Sequence, residues 1–114
     1  MSMSIYIPNS PKPLTFLYAS ISTSSSGDNT IVTGVAGKSI MVCRWALSAN
    51  GSVNVQWKDS TPTTLTGLRY LTQYSATGGG FCPAGLFATA AGKDLILNLS
   101  GAVAVGGELT YCLF

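Results

Sequence analysis

Along residues 52–58 apolar and polar side chains alternate without a break: Val53, Val55 and Trp57 against Ser52, Asn54, Gln56 and Lys58. A period of two puts every second side chain on the same face, so the segment reads as a strand with one face buried and one wet. Similar short runs recur along the chain, separated by Gly, Asn and Ser. They cover residues 14–22, 30–35, 39–48, one or two strands within 61–71, then 86–90, 93–100 and 108–114. Residues 24–29 form a turn cluster, and Gly78-Gly79-Gly80 reads as a flexible loop. The alanine-rich stretch 84–91 is bounded by glycines and too short for a helix. About eight strands spaced by turn signals predict an all-β, single-domain antiparallel β-sandwich, jelly-roll or Ig-like.

The segment around Asn50-Gly51 predicts a hairpin whose register follows from its faces. A three-residue loop of Ala49, Asn50 and Gly51, with Gly51 left-handed, pairs Leu47 with Val53, Trp45 with Val55 and Cys43 with Trp57. Both tryptophans then face the core. Arg44 points the other way beside Ile40 and Val42, a second apolar face suited to another strand layer or another subunit. Residues 34–42 and 89–97 echo each other as a small-residue turn leading into an apolar strand, the same turn chemistry used twice.

Residues 1–13 have a different character from the sandwich domain, 14–114. The triplet Ile5-Tyr6-Ile7 is followed by Pro8, Pro11 and Pro13, and closely spaced prolines favour an extended path without ladder hydrogen bonds. These six residues are candidate contacts of an extended arm that docks on a neighbour.

Composition narrows the function. The chain has 114 residues, 46% hydrophobic and 9% charged, with no histidine and a net charge of +2. A typical soluble domain is about 25% charged. With mean hydropathy +0.37, the uncharged surface predicts contact with another chain. Six scattered bases make no basic stripe for nucleic acid. No apolar run approaches the roughly 20 residues needed to span a bilayer, and the first residues lack a secretory pattern, so a protein kept inside the producing cell is expected.

Candidate chemistry is sparse. Without histidine there is no Ser/His/Asp relay and no usual base for a cysteine nucleophile, and the four acids, Asp28, Asp59, Asp94 and Glu108, fall in scattered turns. Cys43, Cys82 and Cys112 are too widely spaced for structural zinc, and Cys43 and Cys112 read as buried small hydrophobes. Gly37-Lys38-Ser39 lacks the upstream glycine and following helix of a phosphate loop and is a turn. No enzyme activity, metal or cofactor is expected. Tyr70, Tyr74 and Phe81, around the glycine-rich stretch, are candidate loop contacts for a glycan.

Several segments together carry a resemblance. They are Ile31-Val32 with Val35-Ala36-Gly37-Lys38 and Ile40, then Trp57-Lys58, then Ala90-Ala91-Gly92-Lys93 with Leu95, and the run from Leu97 to Gly107 with Leu109-Thr110-Tyr111. This pattern resembles small tailed-bacteriophage virion proteins of the capsid decoration, or cement, type. It spans about three quarters of the chain and consists of turn-and-strand signatures. The arm and the 81–86 loop, with Cys82 and Pro83, depart from it. The resemblance implies a sandwich on the outer capsid surface of the virion, assembled in the host cytoplasm. Its implied partners are the major capsid protein and itself, as a homotrimer at threefold positions, and its implied role is to stabilise the head. The competing expectation is a head-fibre or tail-associated module that binds host-surface glycans.

Overall fold

The computed structural model describes residues 3–5 and 14–114. Ten strands are present among them: β1 (Met3–Ile5), β2 (Leu14–Thr23), β3 (Gly27–Val32), β4 (Ile40–Ala49), β5 (Val53–Asp59), β6 (Arg69–Leu71), β7 (Ala76–Gly79), β8 (Phe87–Ala88), β9 (Leu95–Leu99) and β10 (Val105–Leu113). The described residues contain no helix, and so none long and apolar enough to cross a membrane.

The strands form two antiparallel sheets packed face to face as a β-sandwich. The larger has the order β1-β2-β10-β4-β7, with β8 pairing the other end of β4, and the smaller has the order β3-β9-β5-β6. Among the described strands only β1/β2 and β5/β6 pair as sequence neighbours, so the chain repeatedly crosses between sheets. The period-two pattern accounts for the core. Trp45, Leu47 and Leu109 of one sheet bury themselves against Val55, Trp57 and Leu97 of the other.

The expected hairpin at Asn50-Gly51 does not form. Strand β4 pairs with β10, β7 and β8, whereas β5 pairs with β9 and β6, so Leu47–Val53, Trp45–Val55 and Cys43–Trp57 are not cross-strand partners. Other segments take the backbone groups that a hairpin would use. The Asn50 N–H donates to the Ala104 carbonyl at 2.9 Å, the Ala49 N–H to the Ser75 carbonyl at 3.2 Å, and the Ala49 carbonyl accepts from Tyr74 at 2.7 Å. Gly51 has no left-handed φ. The chain arches from one sheet to the other, which buries both apolar faces at once. Both tryptophans still reach the core.

A β-bulge changes the expected face of Ile40 and Val42. Arg44 pairs with Thr110 and Val42 with Tyr111, leaving Cys43 as the extra residue on β4. The bulge breaks the side-chain alternation between positions 43 and 44, which both face outward. Ile40 and Val42 therefore join Trp45 in the main core, while Cys43 packs with Phe16, Cys112 and Met41 on the outer face of the larger sheet. That second apolar face is covered by the chain's own 80–86 segment. Phe81 meets Phe16 edge to face, with centroids 5.4 Å apart, and the Cys82 N–H donates to the Cys43 carbonyl at 2.8 Å.

Gly78-Gly79 is strand, not loop. A Cβ at Gly78 would collide with the Trp45 carbonyl oxygen, and one at Gly79 would sit 2.9 Å from the Trp45 Nε1. The glycines let β7 lie close against the tryptophan. The two echoed turns adopt the same form. Gly37 and Gly92 have φ of 75° and 78°, the Lys38 and Lys93 N–H groups close on Val35 and Ala90, and the turns dock through Gly92 N–H to the Lys38 carbonyl at 2.7 Å.

Candidate functional site

The four acids are engaged within the fold. The Asp59 carboxylate is buried, with Oδ1 accepting from the Thr61 hydroxyl and from the Thr61 and Thr63 N–H groups, each of these amides at 3.0 Å. Its Oδ2 accepts from the Ala90 N–H at 3.0 Å. Burial pushes this carboxyl up, but the Thr61 hydroxyl and the Ala90, Thr61 and Thr63 amides together overcome it and hold the group at about 2. Asp59 thereby ties the turn after β5 to the segment after β8. Asp94 accepts from the Gly34 N–H at 2.6 Å. The Asn98 amide, 2.7 Å from Asp28, holds that carboxyl below its usual value against slight desolvation, helped by Lys58 at 3.3 Å. Glu108 pairs with Arg44 at 3.1 Å on the outer face.

The two buried thiols are inert by environment. Cys43 and Cys112 are free, buried and 4.0 Å apart through sulfur, and burial pushes both up, Cys112 to about 12. A neutral thiol in an apolar site packs as a hydrophobe. No group of metal-ligating side chains occurs among the described residues.

Of the arm candidates, Ile5 pairs through its backbone with Leu14 of its own chain, as Met3 does with Phe16. Tyr6, Ile7, Pro8, Pro11 and Pro13 lie outside the described residues. Arg44 stands alone of its trio on the outer face. Tyr70, Tyr74 and Phe81 do not share one platform. Tyr70, 75% exposed, projects from β6 in the smaller sheet, and Phe81, 48% exposed, caps Phe16 beside Tyr18, 46% exposed, on the outer face of the larger one. Tyr74, 79% exposed, stands at the end of the sandwich.

There it borders a shallow groove of about 510 Å³ across the ends of β2, β10 and β4. Ser22 and Ser48 flank Gly106 in register on the outer face, with Ser24, Asn50 and Ala104 on the next rung. No lining residue is charged. The serines and Gly106 were not picked out from sequence, although Ser20, Ser22 and Ser24 recur at period two, the signal of a polar strand face.

Comparison with protein-family models, with curated proteins and with solved structures gives no match to this chain.

Proposed function

We propose that the chain is a non-catalytic adhesive sandwich, a capsid decoration protein that attaches to the outer surface of a bacteriophage head and stabilises it. The observation that carries this reading is the outer face of the larger sheet. It presents Tyr18 and Phe81, both about half exposed, over a local apolar base of Phe16, Cys43 and Cys112, with its Arg44 and Glu108 charges paired to each other. Exposed aromatics on a rigid, nearly neutral surface are the composition of an interface centre. All four acids are engaged in pairs or turns, which favours contact over catalysis. The resemblance of residues 31–111 to cement proteins points the same way, and with it to a homotrimer on the major capsid protein.

Binding copies to a closed shell raises the free energy of rupture by mass action. The test is co-sedimentation of the purified chain with empty, decoration-free heads of the phage that encodes it. Saturable binding, lost in a Tyr18→Ser, Phe81→Ser double variant that stays folded, is expected. Absence of binding by the unaltered chain overturns the proposal.

A further inference from the structure

Tyr74 has φ of 63°, the only positive φ of a residue other than glycine among the described residues. For a bulky side chain this left-handed conformation is costly, and glycine or asparagine is the ordinary occupant. The turn enforces it. The Tyr74 N–H donates to the Ala49 carbonyl at 2.7 Å, the Ser75 N–H to the Thr72 carbonyl at 3.0 Å, and the Ser75 hydroxyl oxygen accepts from the Thr72 N–H at 2.8 Å. The ring gains little burial in return, because Tyr74 is 79% exposed. Folding alone gives no reason for an aromatic here, and strain kept at an exposed position points to use.

What the ring borders defines the ligand. The groove has polar side chains from Ser22, Ser24, Ser48 and Asn50 over a floor that includes the buried Ala49 and Val105. None of the side-chain hydrogen bonds formed among the described residues uses those three hydroxyls or that amide, so their donors and acceptors face outward. Between Ser22 and Ser48, Gly106 contributes no side chain and leaves a trough. With no charge in the lining, a phosphate, carboxylate or ammonium finds no partner. An aromatic face beside free hydroxyls and an amide complements a molecule with an apolar ring face and a rim of hydroxyl groups.

The geometry points to this groove as a binding site for a neutral saccharide, with Tyr74 as the stacking surface and Ser22, Ser48 and Asn50 as hydrogen-bonding partners. The site is separate from the Tyr18–Phe81 face, so it stands whether or not the chain decorates a capsid. Protein-decorated shells would gain from it a hold on glycans, and a chain with another role would keep the same activity.

The test is an amide chemical-shift titration of the full chain with maltotriose, cellotriose, chitotriose and lactose. Each is raised to about 10 mM, because one stacked ring and a few hydroxyl contacts imply a Kd on the order of 1 mM. Inorganic phosphate serves as the anion control. The expected result is a saturable shift, with at least one of the sugars, centred on Ser22, Ser48, Asn50, Tyr74 and Gly106, and none with phosphate. Tyr74→Gly removes the ring without disturbing the backbone. Gly106→Val fills the trough, since a Cβ there meets only the Ile21 carbonyl oxygen at 3.6 Å. Each variant should weaken binding at least tenfold while its melting temperature shows it folded, and Tyr18→Ser with Phe81→Ser should leave binding unchanged. No shift with any of the four sugars, a shift that survives both groove variants, or a response to phosphate at the same amides overturns the inference.

Discussion

Trp45 and Trp57 meet edge to face across the sandwich, with ring centroids 5.8 Å apart and planes at 81°. They belong to opposite sheets, and Phe87 of β8, in the same sheet as Trp45, packs against Trp57 with ring centroids 6.2 Å apart. Arg69 adds its guanidinium over the Trp45 ring at 5.3 Å. Such a pair contributes about 0.5–1.5 kcal/mol beyond the area it buries. A double-mutant cycle with Trp45→Leu and Trp57→Leu, read by urea unfolding, should return a coupling energy in that range. Additive losses would show that the rings act independently.

The three consecutive glycines should respond unequally to alanine. At Gly78 the new Cβ meets the Trp45 backbone oxygen, which cannot step aside, whereas at Gly80 nothing lies within 4 Å. Gly78→Ala is expected to cost about 2 kcal/mol or more through strain, and Gly80→Ala to be nearly neutral. Equal small effects would return the segment to a loop.

Acid should weaken the fold through Asp59. Its carboxyl sits at about 2 in the folded chain against an ordinary value of 3.8. A depressed folded value means stability that is fully present above about pH 4 and lost as pH falls towards 2. A shift of nearly two units corresponds to about 2 kcal/mol. Urea midpoints measured between pH 5 and 2 should fall accordingly, and Asp59→Asn should be less stable at neutral pH with a flatter profile. An unchanged slope in that variant would assign the acid sensitivity elsewhere.

Glu108 offers the contrast. Its pair with Arg44 is exposed on both sides, and such pairs contribute roughly 0–1 kcal/mol. Glu108→Ala should shift the thermal midpoint little and show little salt dependence.

The cysteines should divide by access. Cys82 is partly exposed, and Cys43 and Cys112 are buried. A thiol reagent added to native protein at mildly alkaline pH is expected to modify Cys82 alone, and all three sites after denaturation. Rapid native reaction at Cys112 would contradict its burial.

How far these features were legible from the residues varies with the kind of signal. The alternation of Val53, Val55 and Trp57 marks a half-buried strand, and the sandwich follows from several such runs, because period two is local information. Partnership between strands is not local. The Asn50-Gly51 turn carries a hairpin signature, yet Ala104, Ser75 and Tyr74 take the backbone groups at that corner and send β5 to the other sheet. The bulge at Cys43 has no composition cue, and without it unbroken alternation puts Ile40 and Val42 on the outer face instead of in the core. Gly78 and Gly79 resemble a loop until the Trp45 carbonyl and indole are placed beside them. At the groove, Tyr74 was visible as an aromatic near turns. Its association with Ser22 and Ser48 arises only when three strand ends far apart in sequence come into register.

The most direct test of the proposed role is the temperature at which decoration-free heads rupture, followed by dye access to packaged DNA with and without saturating purified chain. The decoration reading predicts a higher rupture temperature with the chain present, abolished by the Tyr18→Ser, Phe81→Ser double variant. The same rupture temperature with and without the chain would contradict it.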